Sequence, residues 1–143
     1  MHQILHELEI KAPAGVVFDA FATSEGLDVW WTLGSSGWPE VGVEYRFYFG
    51  PDYDWRGRVR RLKPGTLIEW EITKSDRDWV GTHLAAEIED LGDRTRLRFR
   101  HSGWAEVNTH FRQTSYTWAL YLRILRRYLE QGIFVPYSAR YDD

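Results

Sequence analysis

The first residues alternate, with Ile4, His6, Leu8 and Ile10 on one parity and Glu7, Glu9 and Lys11 on the other. That is the period of a half-buried strand over residues 3–11. Pro13 then stands where a helix can begin, and Val16, Val17, Phe18, Ala20 and Phe21 recur at helical spacing. A second short helix, capped by Thr23 or Ser24, carries Leu27, Trp30 and Trp31 and is broken by Gly34-Ser35-Ser36-Gly37, read as a flexible loop. From Val43 the pattern is a meander of strands at 43–49, 55–62, 67–72, 80–89 and 94–101. Gly50-Pro51-Asp52, Lys63-Pro64-Gly65, Ser75-Asp76 and Asp90-Leu91-Gly92-Asp93 supply its turns.

After Gly103 the period becomes that of one long helix, with Val107, Phe111, Thr114, Trp118, Leu122, Leu125 and Leu129 in a stripe and Gly132 as its stop. Residues 136–143 read as a polar tail, frayed at its end. No repeat or composition shift divides the chain, so residues 1–135 form a single domain. A long antiparallel sheet cannot leave its apolar face in water, and the one long striped helix is the element able to cover it. The expectation is an α+β domain: a curved antiparallel sheet wrapped around a long C-terminal helix, with two short helices after the first strand.

Short hairpin loops allow a register to be proposed. It pairs Tyr45 with Val59, Val59 with Trp70, Trp70 with Thr82, and Thr82 with His101, giving one inward row. Phe47, Gly57, Ile72 and Val80 flank it on one side, and Ile68, Leu84 and Phe99 on the other. On the outer face the same register sets Arg60 against Glu69, Arg58 against Glu71, Glu89 against Arg94 and Glu87 against Arg96. Opposite charges facing each other across an antiparallel pair support it.

Composition sharpens the picture. Of 143 residues 16% are aromatic, with eight Trp, eight Tyr and seven Phe, and the net charge is only −3. The cross-paired charges and the weak net charge argue against nucleic acid or an anionic membrane surface as partner. Cysteine is absent, which removes disulfides and thiolate chemistry. Without a signal-like apolar run the expected location is the cytoplasm.

An inward row of Tyr, Trp, Thr and His is unusual for a dry core, since an unpaired buried hydroxyl or imidazole costs about 1–3 kcal/mol. His110 and Thr114, one helical turn apart, could face the same space. The expected ligand-binding set is therefore Trp30, Trp31, Tyr45, Phe47, Trp55, Trp70, Thr82, Leu84, Phe99, His101, His110, Thr114 and Trp118, around an internal cavity for a small hydrophobic molecule. His101 and His110 are the candidate general bases, and Asp54 is a rim or turn-capping carboxylate. No G-x-S-x-G elbow exists, and His2, His6, His83, His101 and His110 have no zinc-binding spacing, with His83 facing outward. No metal or cofactor is called for.

Several segments resemble one known family. They are Ala12-Pro13 with Val17-Phe18-Ala20-Phe21, the Leu27 to Trp30-Trp31 stretch, Gly42 with Tyr45 and Phe47, and Gly57, Val59 and Pro64. Ile68-Glu69-Trp70, the Thr95, Leu97, Phe99 strand ending in His101-Ser102-Gly103-Trp104, and a last helix closing on Leu129-Glu130-Gln131-Gly132 complete the match. Together they are similar to the heat-shock protein 90 ATPase activator-like branch of the START-like, or SRPBCC, superfamily. That resemblance implies the helix-grip fold with a hydrophobic tunnel. It further implies lipid or polyketide binding, cyclase or hydrolase chemistry, or contact with a chaperone in the stress response. The exposed Trp38-Pro39 or the C-terminal tail would serve for protein contact, and the oligomeric state is open, a dimer included.

Overall fold

In the computed structural model, which describes residues 1–142, strand β1 (His2–Ile10) leads into two short helices, α1 (Ala14–Ala22) and α2 (Ser24–Trp30). Six further strands follow: β2 (Gly34–Ser36), β3 (Glu44–Tyr48), β4 (Asp54–Lys63), β5 (Leu67–Lys74), β6 (His83–Asp90) and β7 (Thr95–Trp104). The long helix α3 (Thr109–Gln131) and a 3-10 helix (Tyr137–Asp142) complete the chain. The strands make one antiparallel sheet in the order β1-β7-β6-β5-β4-β3-β2, so the first strand closes against the last. This is the α+β helix-grip architecture expected.

Local chemistry fixes the helix ends. The Thr23 hydroxyl accepts from Gly26 N at 3.0 Å to start α2, and Asn108 accepts from Phe111 N at 2.9 Å to start α3. Gly132 takes the left-handed conformation, φ 70°, that ends α3. Carbonyls near the end of α1 find distant donors: the Tyr45 hydroxyl donates to Ala22 O at 2.6 Å and Trp30 Nε1 to Ala20 O at 2.9 Å. The first bond thus ties α1 to the sheet at β3 and the second ties α2 to α1.

The register differs from expectation in an instructive way. Val59 faces Trp70 as predicted, but Tyr45 faces Gly57, Trp70 faces Leu84, and Leu84 faces His101. Each misjudged pair slips by two residues, which preserves the face a side chain points to. Outer-face pairing survives for the same reason: Glu89 lies opposite Arg96 and Glu87 opposite Arg98. Arg58 does face Glu71, while an irregularity between Val59 and Arg61 leaves Arg61 opposite Glu69.

Four local expectations are corrected. Residues 34–36 are not a free loop but a strand on β3, with the Ser35 hydroxyl donating to Asp28 Oδ1 at 2.8 Å. Val80 is half exposed in the loop before β6, and Val107 is exposed before α3 begins. Within the tail, residues 137–142 form the 3-10 helix and Arg140 is 1% exposed, while the end read as frayed lies outside the described residues. Asp54 caps no turn; it accepts from Arg46 Nε at 2.8 Å and Arg56 Nη2 at 3.0 Å. Those hydrogen bonds hold its carboxyl down at about 2.

Candidate functional site: an aromatic cleft at one end of the sheet

Helix α3 carries His110, Gln113, Thr114, Thr117, Trp118 and Tyr121, spaced i, i+3, i+4, i+7, i+8 and i+11. That spacing is one face of a helix. The face borders a cavity of about 360 Å³. Opposite it stand Phe49, Tyr53 and Trp55 from the β3–β4 hairpin, Asp76 and Trp79 from the loop before β6, Trp31 from the end of α2, and Tyr137 and Tyr141 from the 3-10 helix. The cavity therefore lies at the loop end of the sheet. Exposed Tyr53 and Tyr141 stand at its mouth.

Its walls are held by ring contacts. Trp79 lies 4.8 Å from Trp55 and 5.8 Å from Trp118, centroid to centroid, and Trp31 lies 5.1 Å from Trp118 and 5.4 Å from Phe49. Such pairs hold rings firmly in place. The α3 side mixes His110, Gln113, Thr114 and Thr117 with the rings of Trp118 and Tyr121, opposite a wall that is mostly aromatic. Burial raises the Tyr121 phenol well above its usual range, keeping it a neutral hydroxyl.

Of the expected binding residues, Trp31, Trp55, His110, Thr114 and Trp118 line this cavity. Trp30, Tyr45, Phe47, Trp70, Thr82, Leu84, Phe99 and His101 do not; they are buried in the packed core. The space expected over the sheet centre is closed by rings, with Trp70 5.3 Å from Tyr45 and 5.6 Å from Phe47. Gly57 leaves no room either, since a Cβ there would meet Phe47 Cε2 at 2.8 Å.

His101 requires a correction of role as well as of place. An indole N–H can only donate, so the bond from Trp118 Nε1 to His101 Nδ1, 3.1 Å, makes Nδ1 an acceptor. The neutral ring then carries its proton on Nε2 and donates to the Thr82 hydroxyl at 2.8 Å, and that hydroxyl in turn donates to Trp79 O. Both nitrogens are satisfied. Burial first, and the neighbouring His110 second, depress the His101 pKa to about 3, so this ring is a structural link and not a base.

His110 is different. It is half buried at the cavity edge, its Nδ1 lies 3.0 Å from Asp78 Oδ2, and its ring stands edge-on to Trp104 at 5.6 Å. With Nδ1–H donated to Asp78, Nε2 is the free nitrogen. The same hydrogen bond, joined by Asn108, lowers the Asp78 pKa. Among the described residues no group of three or more His, Cys, Asp or Glu could hold a metal ion, and no helix is long and apolar enough to cross a membrane.

Sequence reasoning missed Asp76, Trp79, Tyr53, Tyr137 and Tyr141, on loops or termini where periodicity is silent, and Phe49, although it shares the parity of Tyr45 and Phe47. Gln113, Thr117 and Tyr121 had a signal, the helical spacing from His110, that an apolar stripe alone does not reveal.

The sequence profile of the activator of Hsp90 ATPase homolog 1-like (AHSA1) proteins matches residues 11–130, nearly every element above. The chain belongs to the AHSA1-like family. Its START-like fold places it among known AHSA1-like structures such as the Aha1 dimer of Colwellia psychrerythraea. That protein is 31% identical, with a TM-score of 0.83 over 92% of this chain and 98% of the other. The solution structure of CalU16 from Micromonospora echinospora is 16% identical, with a TM-score of 0.78 over 98% of this chain and 71% of that one. BH1534 of Bacillus halodurans is 20% identical, with a TM-score of 0.75 over 91% and 98% of the two chains. At such identity these last two share the fold alone. No curated protein sequence matches significantly.

Proposed function

We propose that this AHSA1-like chain binds a small, largely apolar molecule with an aromatic or lipid-like body and at least one polar group. The observation that carries this reading is the 360 Å³ cavity walled largely by aromatic rings, with His110, Gln113, Thr114 and Thr117 grouped on its α3 side. Its volume falls within the ~300–1,000 Å³ of small-molecule sites. Apolar burial would supply affinity and the α3 groups would set orientation. The test is quenching of tryptophan fluorescence by flavonoids, fatty acids and polyketide-like compounds, in wild-type protein and in Thr117→Trp, which fills the cavity from its half-buried side. Saturable quenching lost in Thr117→Trp supports the reading. Absence of any shift in the wild type, or identical shifts in both, overturns it.

A second reading, cyclase or hydrolase chemistry, is favoured by one contact, His110 against Asp78. A histidine oriented by a carboxylate can take a proton from a bound phenol or β-dicarbonyl compound. His110→Ala should then abolish turnover while binding persists, and equal turnover in both proteins removes the idea.

Contact with a chaperone ATPase is a third reading, supported by family membership and by Trp38, 61% exposed beside Pro39. Trp38→Ser should lose capture of a purified Hsp90-type ATPase if that surface is used. The relative solved as a dimer makes self-association worth measuring by sedimentation.

A further inference from the structure

The segment following α3 packs Val135 and Ala139 on the core, and one buried polar side chain fixes it to α2. Arg140 is 1% exposed. Its Nη2 donates to Asp28 O at 2.7 Å and Val29 O at 3.0 Å, Nη1 to Thr32 O at 3.3 Å, and Nε to Val135 O at 3.1 Å. Two of these four acceptors, Asp28 O and Val29 O, are carbonyls in the last turn of α2, where the helix dipole is negative and orphan carbonyls need donors, and Thr32 O follows just past the helix. A planar guanidinium with its fixed fork of donors can serve all four at once, which a lysine ammonium cannot.

Across from that anchor the same segment builds the cavity. Tyr137 lies 6.5 Å from Phe49, with the Arg140 guanidinium carbon 5.4 Å from the Tyr137 ring centre. The hydroxyl of Tyr121 on α3 donates to that of Tyr141 at 3.3 Å. Among the described residues, no other hydrogen bond joins residues 135–141 to the body of the protein. The backbone bond within the segment, Ala139 N to Pro136 O, is local. One wall of the cavity thus depends on a latch whose acceptors lie outside the cavity.

We propose that residues 135–141 form a hinged wall of the cavity and that Arg140 is its positioning residue, so that docking of the wall and occupancy of the cavity favour each other. The coupling half rests on the ligand-binding reading above; the latch half does not. A ligand touching Tyr137 and Tyr141 binds only the docked form, and by linkage it raises the docked population.

The experiment uses the full chain and 8-anilinonaphthalene-1-sulfonate as probe. Trypsin cleavage after residue 140 is followed in wild type, Arg140→Lys and Tyr141→Ala, and amide hydrogen exchange over 135–141 in these and in Arg140→Ala, each with and without probe. In the wild type, cleavage should be slow and slowed further by saturating probe. Both arginine variants should exchange the segment at least ten-fold faster, with exchange in β5–β7 unchanged, and bind the probe several-fold more weakly. Tyr141→Ala, at a 70% exposed position, should fold normally and weaken the probe without freeing Arg140, which covers the case of an unfolded Arg140 variant.

If 135–141 stays protected in Arg140→Ala, or probe leaves wild-type cleavage unchanged while bound, the proposal is wrong. Undiminished probe binding with the segment released also overturns it, leaving the ligand reading intact. If the probe binds no variant and quenches no tryptophan, the ligand reading and the coupling fall together, and the exchange data alone decide the latch.

Discussion

The indole of Trp118 donates to Nδ1 of His101 at 3.1 Å, joining the middle of α3 to β7. The relay continues through Thr82 to Trp79 O, so the rings behind the cavity are fixed by a chain of bonds with one consistent direction. Protonating His101 at Nδ1 would turn its acceptor into a donor aimed at the indole N–H, which agrees with a pKa near 3.

Acid should therefore unfold the protein partly through this residue. The folded pKa is about 3 and the unfolded one about 6.5. Stability from this ring is complete above about pH 6.5 and declines as pH falls, by up to about 1.4 kcal/mol per unit, because only the unfolded chain takes up the proton. His101→Gln, unable to titrate, should be less stable than wild type at pH 7 by a margin that shrinks toward pH 4. Urea melts at pH 7, 6, 5 and 4 measure it; a constant margin refutes the assignment.

Trp118→Phe deletes the donor and leaves Nδ1 buried without a partner, a loss of about 1–3 kcal/mol at pH 7 before any effect of ring size. Freed of that donor, the histidine should titrate higher than in wild type. Histidine ring shifts followed by NMR through acid pH would show the upward move.

Gly57→Ala places a methyl 2.8 Å from Phe47 Cε2 and 3.4 Å from Trp70 Cβ. Phe47 is itself wedged between Trp31 and Trp70, at 4.7 and 5.6 Å, so it has nowhere to turn. Overpacking of this kind costs about 1–3 kcal/mol, visible as a lower urea midpoint.

On the outer face, one carboxylate should matter more than its neighbours. Glu69, with its side chain 11% exposed, meets Arg100 at 3.0 Å, His83 at 3.1 Å and Arg61 at 3.5 Å. Glu7 meets Arg98 at 2.8 Å, but both side chains are more than half exposed. Glu69→Gln should cost about 1–3 kcal/mol by weakening a nearly buried charge network. Glu7→Gln should stay under about 1 kcal/mol and vanish in salt. Equal costs would show that burial is not what separates the two.

The outer-face charges also explain why register was only partly legible. Arginine recurs at 94, 96, 98 and 100 and glutamate at 87 and 89. A slip of two residues along β6 and β7 therefore still sets glutamate against arginine. Face was determined by parity; position along the strand was not, and the expected pocket moved with it. Thr82 shows the effect, reaching His101 through a hydrogen bond from a loop rather than from the neighbouring rung.

What the sequence determined by itself were the quantities carried by short-range periodicity. They are the opening strand, two short helices of which the second is capped, the meander, one long helix and which side chains face inward, because burial imposes a period of two or 3.6 wherever a backbone is regular. Where the open space lies was decided only in three dimensions. Trp79, Tyr137, Tyr141 and Arg140 reach the site from irregular segments, and whether rings touch or leave a gap depends on packing between elements far apart in the chain. Histidine identity was visible from the start. Only the fold could say that one ring is sealed between Trp118 and Thr82 while the other sits at the cavity edge beside Asp78.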